Sequence, residues 1–270
     1  MMTHSARMPA VFFGHGSPMN TLEQNRYTEA WRQLGKSLPR PKAILAVSAH
    51  WTIRGTAVTA MPQPRTIHDF GGFPRELYEV QYPAPGDPVL AARVRELLAP
   101  LAVEADLSSW GLDHGSWSVL AHVYPQADVP VVQLSIDGTQ PPSYHYKLAR
   151  RLAPLRDEGV LIIGSGNVVH NLGRIQWADD APPWDWATRF NTRVRECLLA
   201  RDHAALIDYA ALGADARLSV PTPEHYLPLL YVIAQQDEGE TVSLPIDGIE
   251  LGSIGMLAVA VGLPPASGPA

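Results

Sequence analysis

Two short apolar runs near the start of the chain each lead into a histidine. The first run, residues 9–13, is followed within two residues by His15, and the second, residues 43–48, within two residues by His50. The second run is too continuously apolar to be half exposed, so it is predicted to be a buried strand. The segment between the runs, residues 25–37, has the apolar spacing of a helix. The chain is therefore predicted to open with a β-α-β unit.

The rest of the chain continues this alternation. Further strands are predicted at residues 57–60, 129–136, 160–163, 241–244 and 254–261. Further helices are predicted at residues 88–98, 116–124, 144–155, 186–199 and 224–235. This order indicates an α/β fold, a single domain in which a mixed, mostly parallel central sheet has helices on both faces. We expect the domain to span residues 8–262 and the Pro-, Gly- and Ala-rich tail, residues 263–270, to be disordered.

Composition limits the setting and the partners. With 270 residues, of which 46% are hydrophobic, the chain can bury a sizeable core. Its one cysteine, Cys197, allows no internal disulfide and no cysteine-based zinc cluster, which favours a reducing, cytoplasmic setting. The net charge of −6 and the lack of a Lys/Arg stripe argue against nucleic acid as a partner. There is no signal-peptide pattern and no apolar run of the ~18 residues that a membrane helix needs.

The two histidines are candidates for one site. In open α/β sheets, ligands collect outside the carboxyl ends of the strands, and His15 and His50 both follow strand-like runs. Imidazole is the commonest protein ligand for borderline divalent metals. A metal site at the carboxyl ends of the strands is therefore predicted, although either histidine alone is more often an ordinary loop residue.

A third histidine also follows a strand-like run. His170 comes after residues 160–163 and a Gly164-Ser165-Gly166-Asn167 segment that is predicted to be a turn. The segment lacks the third glycine of a dinucleotide fingerprint and the Gly-Lys-Ser/Thr of a P-loop, so nucleotide binding is disfavoured. His170 is therefore a further candidate for the same site.

A fourth histidine is predicted at the start of a helix. Thr222 is a suitable N-cap and Pro223 suits the first helical position, which puts His225 in the first turn with its side chain able to point back into a cleft. Its neighbour Glu224 could equally be the ligand. Spacing alone does not separate the two residues, and an ordinary surface histidine is the alternative for His225.

Two further segments carry residues suited to catalysis or substrate binding. His114 lies beside Asp113, an arrangement suited to an acid/base group oriented by a carboxylate, although Asp113 could instead cap the following helix. Residues 66–74 form an aromatic, glycine-hinged loop that could cover a flat ligand, or could be a plain packing loop. Its aromatic residues are His68, Phe70 and Phe73.

Taken together, these segments closely resemble the class III extradiol ring-cleavage dioxygenases, and within them the DOPA extradiol dioxygenase branch. The resemblance runs from about residue 9 to residue 261. The motifs that carry it are Gly14-His15-Gly16-Ser17-Pro18-Met19, Ser48-Ala49-His50-Trp51, His68-Asp69-Phe70-Gly71-Gly72-Phe73-Pro74, Leu112-Asp113-His114-Gly115, Gly164-Ser165-Gly166-Asn167 with His170-Asn171, and Pro223-Glu224-His225-Tyr226.

The resemblance implies a non-haem Fe(II) enzyme that opens a catechol ring beside, not between, its two hydroxyls, using O2 and giving a muconic semialdehyde type of product. It also implies that Zn(II) can occupy the same site. The wider superfamily completes its metal site with two histidines and a glutamate. This branch places His225 at the third position beside His15 and His50, with Glu224 as the competing ligand.

The remaining residues are assigned roles from their positions: His170 from its place beside the glycine turn, His114 from its neighbouring carboxylate, and His68, Phe70 and Phe73 from the aromatic loop. His170 is expected to be a general base for the second catechol hydroxyl and then an acid for ring opening, or a fourth ligand in a zinc-filled resting form. His114 would help to orient or protonate the intermediate, and His68, Phe70 and Phe73 would contact the substrate.

Two other functions fit the same histidines. A zinc-dependent hydrolase would use a metal-bound water, but Gly-x-Ser-x-Gly, His-Glu-x-x-His and Cys-x-x-Cys motifs are all absent from the sequence. A non-catalytic metal- or ligand-binding protein on the same fold is the other alternative. An activity that needs both iron and O2 would separate the dioxygenase from both.

Overall fold

The structure, a computed structural model, describes residues 7–178 and 181–263. Its strands are β1 (Ala10–Gly14), β2 (Ala43–Ile53), β3 (Thr56–Thr59), β4 (Val103–Asp106), β5 (Val131–Asp137), β6 (Val160–Gly166), β7 (Val242–Ile246), β8 (Ile249–Glu250), β9 (Ile254–Gly255) and β10 (Ala258–Val261). Its helices are α1 (Arg26–Ser37), α2 (Arg75–Glu79), α3 (Pro88–Leu98), α4 (His114–Val123), α5 (Pro142–Arg150), α6 (Pro154–Asp157), α7 (Asp185–Leu199), α8 (His203–Ile207), α9 (Ala214–Ser219) and α10 (Leu227–Ile233).

Eight strands form one mixed sheet in the order β4-β3-β5-β2-β6-β1-β10-β7. Its centre is parallel, because β5, β2, β6 and β1 all run in the same direction. The antiparallel pairs lie nearer the edges, where β10 pairs with β1 and β7, and β3 pairs with β5. The predicted α/β domain with a mostly parallel central sheet is confirmed. The carboxyl ends of the four central strands therefore meet at one edge of the sheet.

Helices cover both faces of this sheet. Alternate residues of a strand point to opposite faces, and in β1 Phe12 and Phe13 belong to separate buried clusters. On the face of Phe12 the core includes residues of α5, α7 and α10. On the face of Phe13 it includes Trp31 of α1 and Trp117 of α4, both fully buried. The sheet is thus held between two apolar layers, as is usual for parallel strands.

Most predicted elements differ from the structure by a few residues at their ends, and three differ more strongly. The predicted strand 254–261 is two short strands, β9 and β10, which belong to different sheets. The predicted helix 144–155 is two helices, because α5 ends at Arg150 and Pro154 begins α6. Proline lacks the amide proton that would continue the helix, and its ring clashes with the preceding turn. The strand predicted at 43–48 continues to Ile53, so His50 lies within β2 rather than beyond its end. The register between β2 and β5 shifts between Val47 and Thr52, around this histidine.

The predicted disordered tail, residues 263–270, lies outside the described residues except for Leu263. The expected domain limits at residues 8 and 262 remain a prediction. In the two ranges that the structure describes, no helix is both long and apolar enough to cross a membrane.

Candidate metal centre and active site

Histidines from five chain segments meet at the carboxyl edge of the sheet. They are His15 after β1, His50 in β2, His114 at the start of α4, His170 after β6 and His225 before α10. The segments are far apart in sequence, and the parallel sheet brings them to one edge because its strands end there. All five of the histidines predicted as metal ligands or catalytic groups therefore line a single cavity.

Glycines allow the backbone segments of this site to pack closely. A Cβ added to Gly14 would lie 2.7 Å from the carbonyl oxygen of Gly255, and one added to Gly166 would lie 2.2 Å from that of His225. The amide of Asn167 donates to the same His225 carbonyl at 2.8 Å. The prediction of a turn at Gly164-Ser165-Gly166 is wrong, because these residues are the last three of strand β6. There, Gly164 and Gly166 allow the segment of His225 to approach the strand closely.

His225 is held by a turn that precedes the helix. The prediction that it lies in the first helical turn is wrong, since α10 begins at Leu227. Pro228 has no amide proton to donate to the carbonyl of Glu224, so a helix cannot continue unbroken from Glu224 through this point. The amides of Tyr226 and Leu227 instead both bond to the carbonyl of Pro223, at 2.9 and 3.0 Å.

Glu224 lies on the outer side of His225. Its Oε1 accepts a hydrogen bond from the Thr222 hydroxyl at 2.6 Å and lies 3.4 Å from Nδ1 of His225. The Glu224 side chain is 29% exposed, against 10% for that of His225. His225 lines the cavity and Glu224 is not among its lining residues. This placement favours His225 over Glu224 as the group that faces a bound ion.

Three of the imidazoles are spaced as ligands of one ion would be. The ring centroids of His15 and His50 are 5.0 Å apart, and His225 lies 5.4 and 5.1 Å from them. Imidazoles bound at about 2.1 Å to a single ion place their ring centroids ~5 Å apart. Nε2 of His15 and Nε2 of His50 are already 3.2 Å apart.

His114 forms a second, overlapping group with the first two histidines. One ring nitrogen from each of His15, His50 and His114 lies within 4.8 Å of the others, so this set could also hold an ion. The rings of His50 and His114 are 3.8 Å apart between centroids, which is closer than the ~5 Å expected for two ligands of one ion. The ring of His170 stacks on that of His225 at 3.5 Å with an interplanar angle of 6°.

Asp69 is a candidate functional residue that sequence reasoning missed. Its Oδ2 lies 3.0 Å from Nδ1 of His114 and 3.3 Å from Nδ1 of His50, and its Oδ1 accepts from the His114 amide at 2.8 Å. One carboxylate therefore orients two imidazoles so that their other nitrogens are free, as carboxylates beside metal-bound histidines do. Burial disfavours ionisation of Asp69, but bonding to His114 and the nearby imidazoles outweigh it and lower its pKa.

Asp113, which the sequence paired with His114, has a different role. Its carboxylate accepts from the amide of Ser116 at 3.1 Å, so it caps α4, and it also accepts from the side chain of Gln133. Capping was the alternative prediction for this residue. Asp69 reaches His114 because the chain around Thr66 pairs with Leu112, and Gly111 lets the two backbones touch. The only local signal for Asp69 was its position in the aromatic loop.

Ser165 fixes the orientation of His15. Its hydroxyl donates to the carbonyl of Gly115 and lies 2.9 Å from Nδ1 of His15. Since the hydroxyl proton is used by Gly115, the oxygen can only accept from His15, which places the imidazole proton on Nδ1. Nε2 then carries a free lone pair that faces Nε2 of His50.

The electrostatics of the cluster keep four of its imidazoles neutral, those of His15, His50, His170 and His225. Burial, together with the neighbouring histidines, holds the pKa of His15 and the pKa of His225 well below the usual value. Burial likewise lowers the pKa of His50 to about 3 and that of His170 to about 4. A neutral imidazole is the form that binds a metal ion. Nε2 of His15 and Nε2 of His50 are buried and face each other, and each carries a lone pair when the ring proton is on Nδ1. A divalent cation fits between such nitrogens.

The histidines line a cavity of about 370 Å³. Phe70 and Phe73 of the aromatic loop form part of its wall, and Phe70 stands edge-on to His114 with centroids 5.4 Å apart. His68 packs behind Phe70 and against Trp117, and its Nε2 lies 3.0 Å from the carbonyl of Val80. Phe70 and Phe73 therefore face the cavity, while His68 contacts the back of Phe70.

Comparison with known proteins identifies the group to which the chain is similar. Residues 1–249 match the family described as the catalytic LigB subunit of aromatic ring-opening dioxygenase. The chain is 55% identical over 261 residues to the 4,5-DOPA dioxygenase extradiol of Escherichia coli K12, covering 96% of each chain. It is 39% identical over 241 residues to the 4,5-DOPA dioxygenase extradiol of Beta vulgaris, covering 86% of this chain and 88% of that one.

A solved structure supports the same grouping. The crystal structure of an uncharacterized protein from Escherichia coli K12 is 50% identical in sequence and superposes with a TM-score of 0.84. The match covers 95% of this chain and 100% of that one. Dioxygenases of this family depend on a metal, and the histidine cluster offers a site for one. The chain thus belongs to the LigB family, the class III extradiol ring-cleavage dioxygenases, and is an enzyme of that class.

Proposed function

We propose that this enzyme uses Fe(II) and O2 to open the ring of a DOPA-like catechol beside its two hydroxyls, giving a muconic semialdehyde type of product. The observation that carries the proposal is the near-equal spacing of His15, His50 and His225 beside two further histidines in one cavity. The names of the two relatives described above support the same substrate class.

We assign the metal to His15, His50 and His225. Their centroid spacing, burial and neutral state support this set, and the 3.8 Å approach of His114 to His50 disfavours His114 as the third ligand. Iron, when bound, supplies the one-electron chemistry with O2 that no side chain can perform. Zinc would fill the same three nitrogens but has no redox chemistry. A zinc-loaded enzyme would therefore be structurally intact and inactive.

His170 is assigned as the general base and then the acid. Its ring faces the cavity, and its lowered pKa of about 4 leaves it neutral and able to accept a proton from a catechol hydroxyl at neutral pH. The proton then held on the imidazole is available to an oxygen atom of the substrate during ring opening. Its stacking on His225 keeps it next to the metal ligands, and the same closeness would let it serve as a fourth ligand in a zinc-filled form.

His114 and the aromatic loop are assigned to the substrate. With Nδ1 of His114 3.0 Å from the Asp69 carboxylate, its other nitrogen is available to the cavity, where it can hydrogen-bond a substrate oxygen. Phe70 and Phe73 offer flat apolar surfaces for the catechol ring. His68 supports Phe70 from behind, and any contact of His68 with substrate requires the loop to rearrange. We place the enzyme in the cytoplasm on the basis of its single cysteine.

The test is oxygen uptake and visible absorbance after anaerobic loading with Fe(II), with L-DOPA and simple catechols as substrates. We expect iron-dependent oxygen consumption together with a yellow ring-opened product, and no turnover by the zinc-loaded control. Equal turnover by the zinc enzyme, or turnover without oxygen consumption, would contradict the proposal. Such a result would instead support the zinc-dependent hydrolase.

A further inference from the structure

The outer part of the active-site cavity is apolar. Besides the histidines, its wall includes Phe70 and Phe73 of the aromatic loop, together with Leu172, Ile175, Trp177 and Leu251. Two of these side chains are unusually exposed for their type, Leu172 at 63% and Trp177 at 82%. Large apolar side chains that are exposed at the border of a ligand cavity indicate a surface that a ligand covers.

The described part of the cavity offers no charged partner for an amino-acid substituent. Within residues 7–178 and 181–263, no Lys, Arg, Asp or Glu side chain lines it. Neither arginine that flanks the aromatic loop lines the cavity: Arg65 donates to the carbonyl of Ser109 at 2.8 Å, and Arg75 lies on the surface beside Glu79. A carboxylate and an ammonium group brought into this space would lose water without gaining an ionic partner.

We propose that the preferred substrate carries an apolar substituent, an alkyl or aryl group at ring position 4 of the catechol, and that Leu172 and Trp177 are specificity-determining residues that contact it. This inference rests on the proposed function, which supplies the catechol and its binding through the two hydroxyls. With those hydroxyls at the histidines, the substituent points away from them, toward the apolar mouth. L-DOPA is then a weaker substrate whose charged group stays in solvent.

The size of the effect follows from the burial of methylene groups. Burying one methylene is worth about a factor of four in affinity, from roughly 0.8 kcal/mol per group. The selectivity constant kcat/KM should therefore rise about fourfold per carbon from catechol through 4-methylcatechol to 4-propylcatechol. L-DOPA should fall at least about tenfold below 4-propylcatechol, because its charged group is not buried and its single side-chain methylene is the only apolar gain.

The experiment measures kcat/KM for this series and for L-DOPA with the iron-loaded enzyme. Dissociation constants for the zinc-loaded enzyme under anaerobic conditions provide a second readout that needs no turnover. A rise with chain length in both measurements supports the proposal. A flat series, or L-DOPA equal to or better than 4-propylcatechol, overturns it. If no catechol is turned over, the proposed function fails, while the binding series still tests the apolar preference.

Matched variants locate the effect. Leu172→Ser should reduce the gain per carbon from about fourfold to about twofold, since part of the apolar contact is lost. Leu199→Ser is the control, because Leu199 is also 63% exposed but lies on α7 and is not among the cavity-lining residues. An equal effect of both substitutions would overturn the assignment of Leu172.

One further variant tests the alternative that the enzyme recognises the charged substituent of L-DOPA. Arg174 is exposed and lies two residues from Leu172, so it is the cation that an L-DOPA carboxylate would have to recruit. We expect Arg174→Gln to change kcat/KM for L-DOPA by less than about twofold, as for a solvated surface charge. A selective loss of activity toward L-DOPA of tenfold or more would show that a charged substituent is recognised, and would overturn the proposal.

Discussion

The two ends of strands β1 and β6 are both polar and buried, yet they are built differently. Near their start, the fully buried Arg156 donates to the carbonyl oxygens of Met8 and Gln235 and pairs with Glu240. Near their carboxyl ends lies the histidine cluster, in which Nε2 of His15 faces Nε2 of His50. In the Arg156 cluster, each hydrogen-bond donor faces an acceptor. In the histidine cluster, two ring nitrogens of the same kind face each other.

This difference distinguishes a structural cluster from a functional one. Each nitrogen of the Arg156 guanidinium has an acceptor among the described residues, so the cluster is complete as it stands. Among the histidines, Nδ1 of His15 bonds to Ser165, and Nδ1 of His50 and Nδ1 of His114 lie within 3.3 Å of the Asp69 carboxylate, while Nε2 of His15 and Nε2 of His50 face each other. Such an arrangement is completed only by a cation. The expected effects of substitutions differ accordingly.

The largest effect is expected at the metal ligands. His225→Ala should lower kcat/KM by at least about a thousandfold, because one of three metal ligands is lost, and should abolish the rise in melting temperature that Zn(II) gives the wild type. Glu224→Gln is the matched control and should retain metal binding and most activity. Metal content, melting temperature and oxygen uptake check both. A reversed result, with Glu224→Gln the inactive variant, would make Glu224 the third ligand.

Next in size is the acid/base group. His170→Gln should lower kcat of the iron-loaded enzyme by about a hundredfold to ten-thousandfold, because the residue moves protons during turnover. The measurements are steady-state oxygen uptake and competition for zinc with a chelator. Full activity of the variant would remove His170 from the mechanism. A large loss of zinc affinity would make it the fourth ligand of the zinc-filled form.

At the other end of the strands, the expected effect is on stability alone. Arg156→Met should lower the free energy of unfolding by about 3 to 5 kcal/mol, because Glu240 and two carbonyls lose their partner. The change is measured by denaturant unfolding of the metal-free protein. Arg93→Met is the control, since Arg93 pairs with Glu158 on the surface and its loss should change little. Equal stability of the two variants would contradict the role given to Arg156.

A smaller effect on metal binding is expected at Asp69, which does not contact the metal itself but lies beside His50 and His114. Asp69→Asn keeps the shape of the side chain but removes the charge that orients His50 and His114. Zinc affinity should fall by about tenfold to a hundredfold. Unfolding of the metal-free protein should be nearly unchanged, because an amide can still accept from the His114 amide. Unchanged zinc affinity would show that Asp69 only holds the loop.

The smallest effect concerns pH and the Arg156 cluster. Burial disfavours ionisation of Glu240, but its bonds with Arg156 outweigh this and lower its pKa below the usual 4.5. A carboxyl group with a lowered folded-state pKa stabilises the fold above pH 4.5 and loses that contribution as pH falls through its folded-state value. Glu240→Gln should therefore narrow the difference in melting temperature between pH 7 and pH 4. An unchanged difference would contradict this.

Helices and strands that are determined by their own residues, such as capping residues and apolar spacing, could be predicted from the sequence. Helix α3 was predicted with the bounds that it has, because Asp87 and Pro88 mark its start. The predicted meeting of His15 and His50 at one edge follows from the direction of parallel strands. Strand β4 escaped prediction because it is a short edge strand with an exposed Glu104.

The parts that depend on tertiary contact could not be predicted in this way. Asp69 reaches His114 from 45 positions away, so the sequence offered the adjacent Asp113 instead. The turn at His225 depends on Pro228, which stands after the predicted helix start and limits where that helix can begin. The number of histidines at the site was readable from motifs, whereas the residues that orient them were not.

The most direct test of the central claim is the fate of isotopically labelled oxygen. The iron-loaded enzyme is given a catechol under ¹⁸O₂, and the aldehyde product is reduced at once to stop exchange with water. Ring cleavage at the histidine cluster predicts that both atoms of one O2 molecule appear in the product of the wild type, and that the His225→Ala enzyme forms none. A ring-opened product without label, or label that persists in the His225→Ala product, would contradict the account.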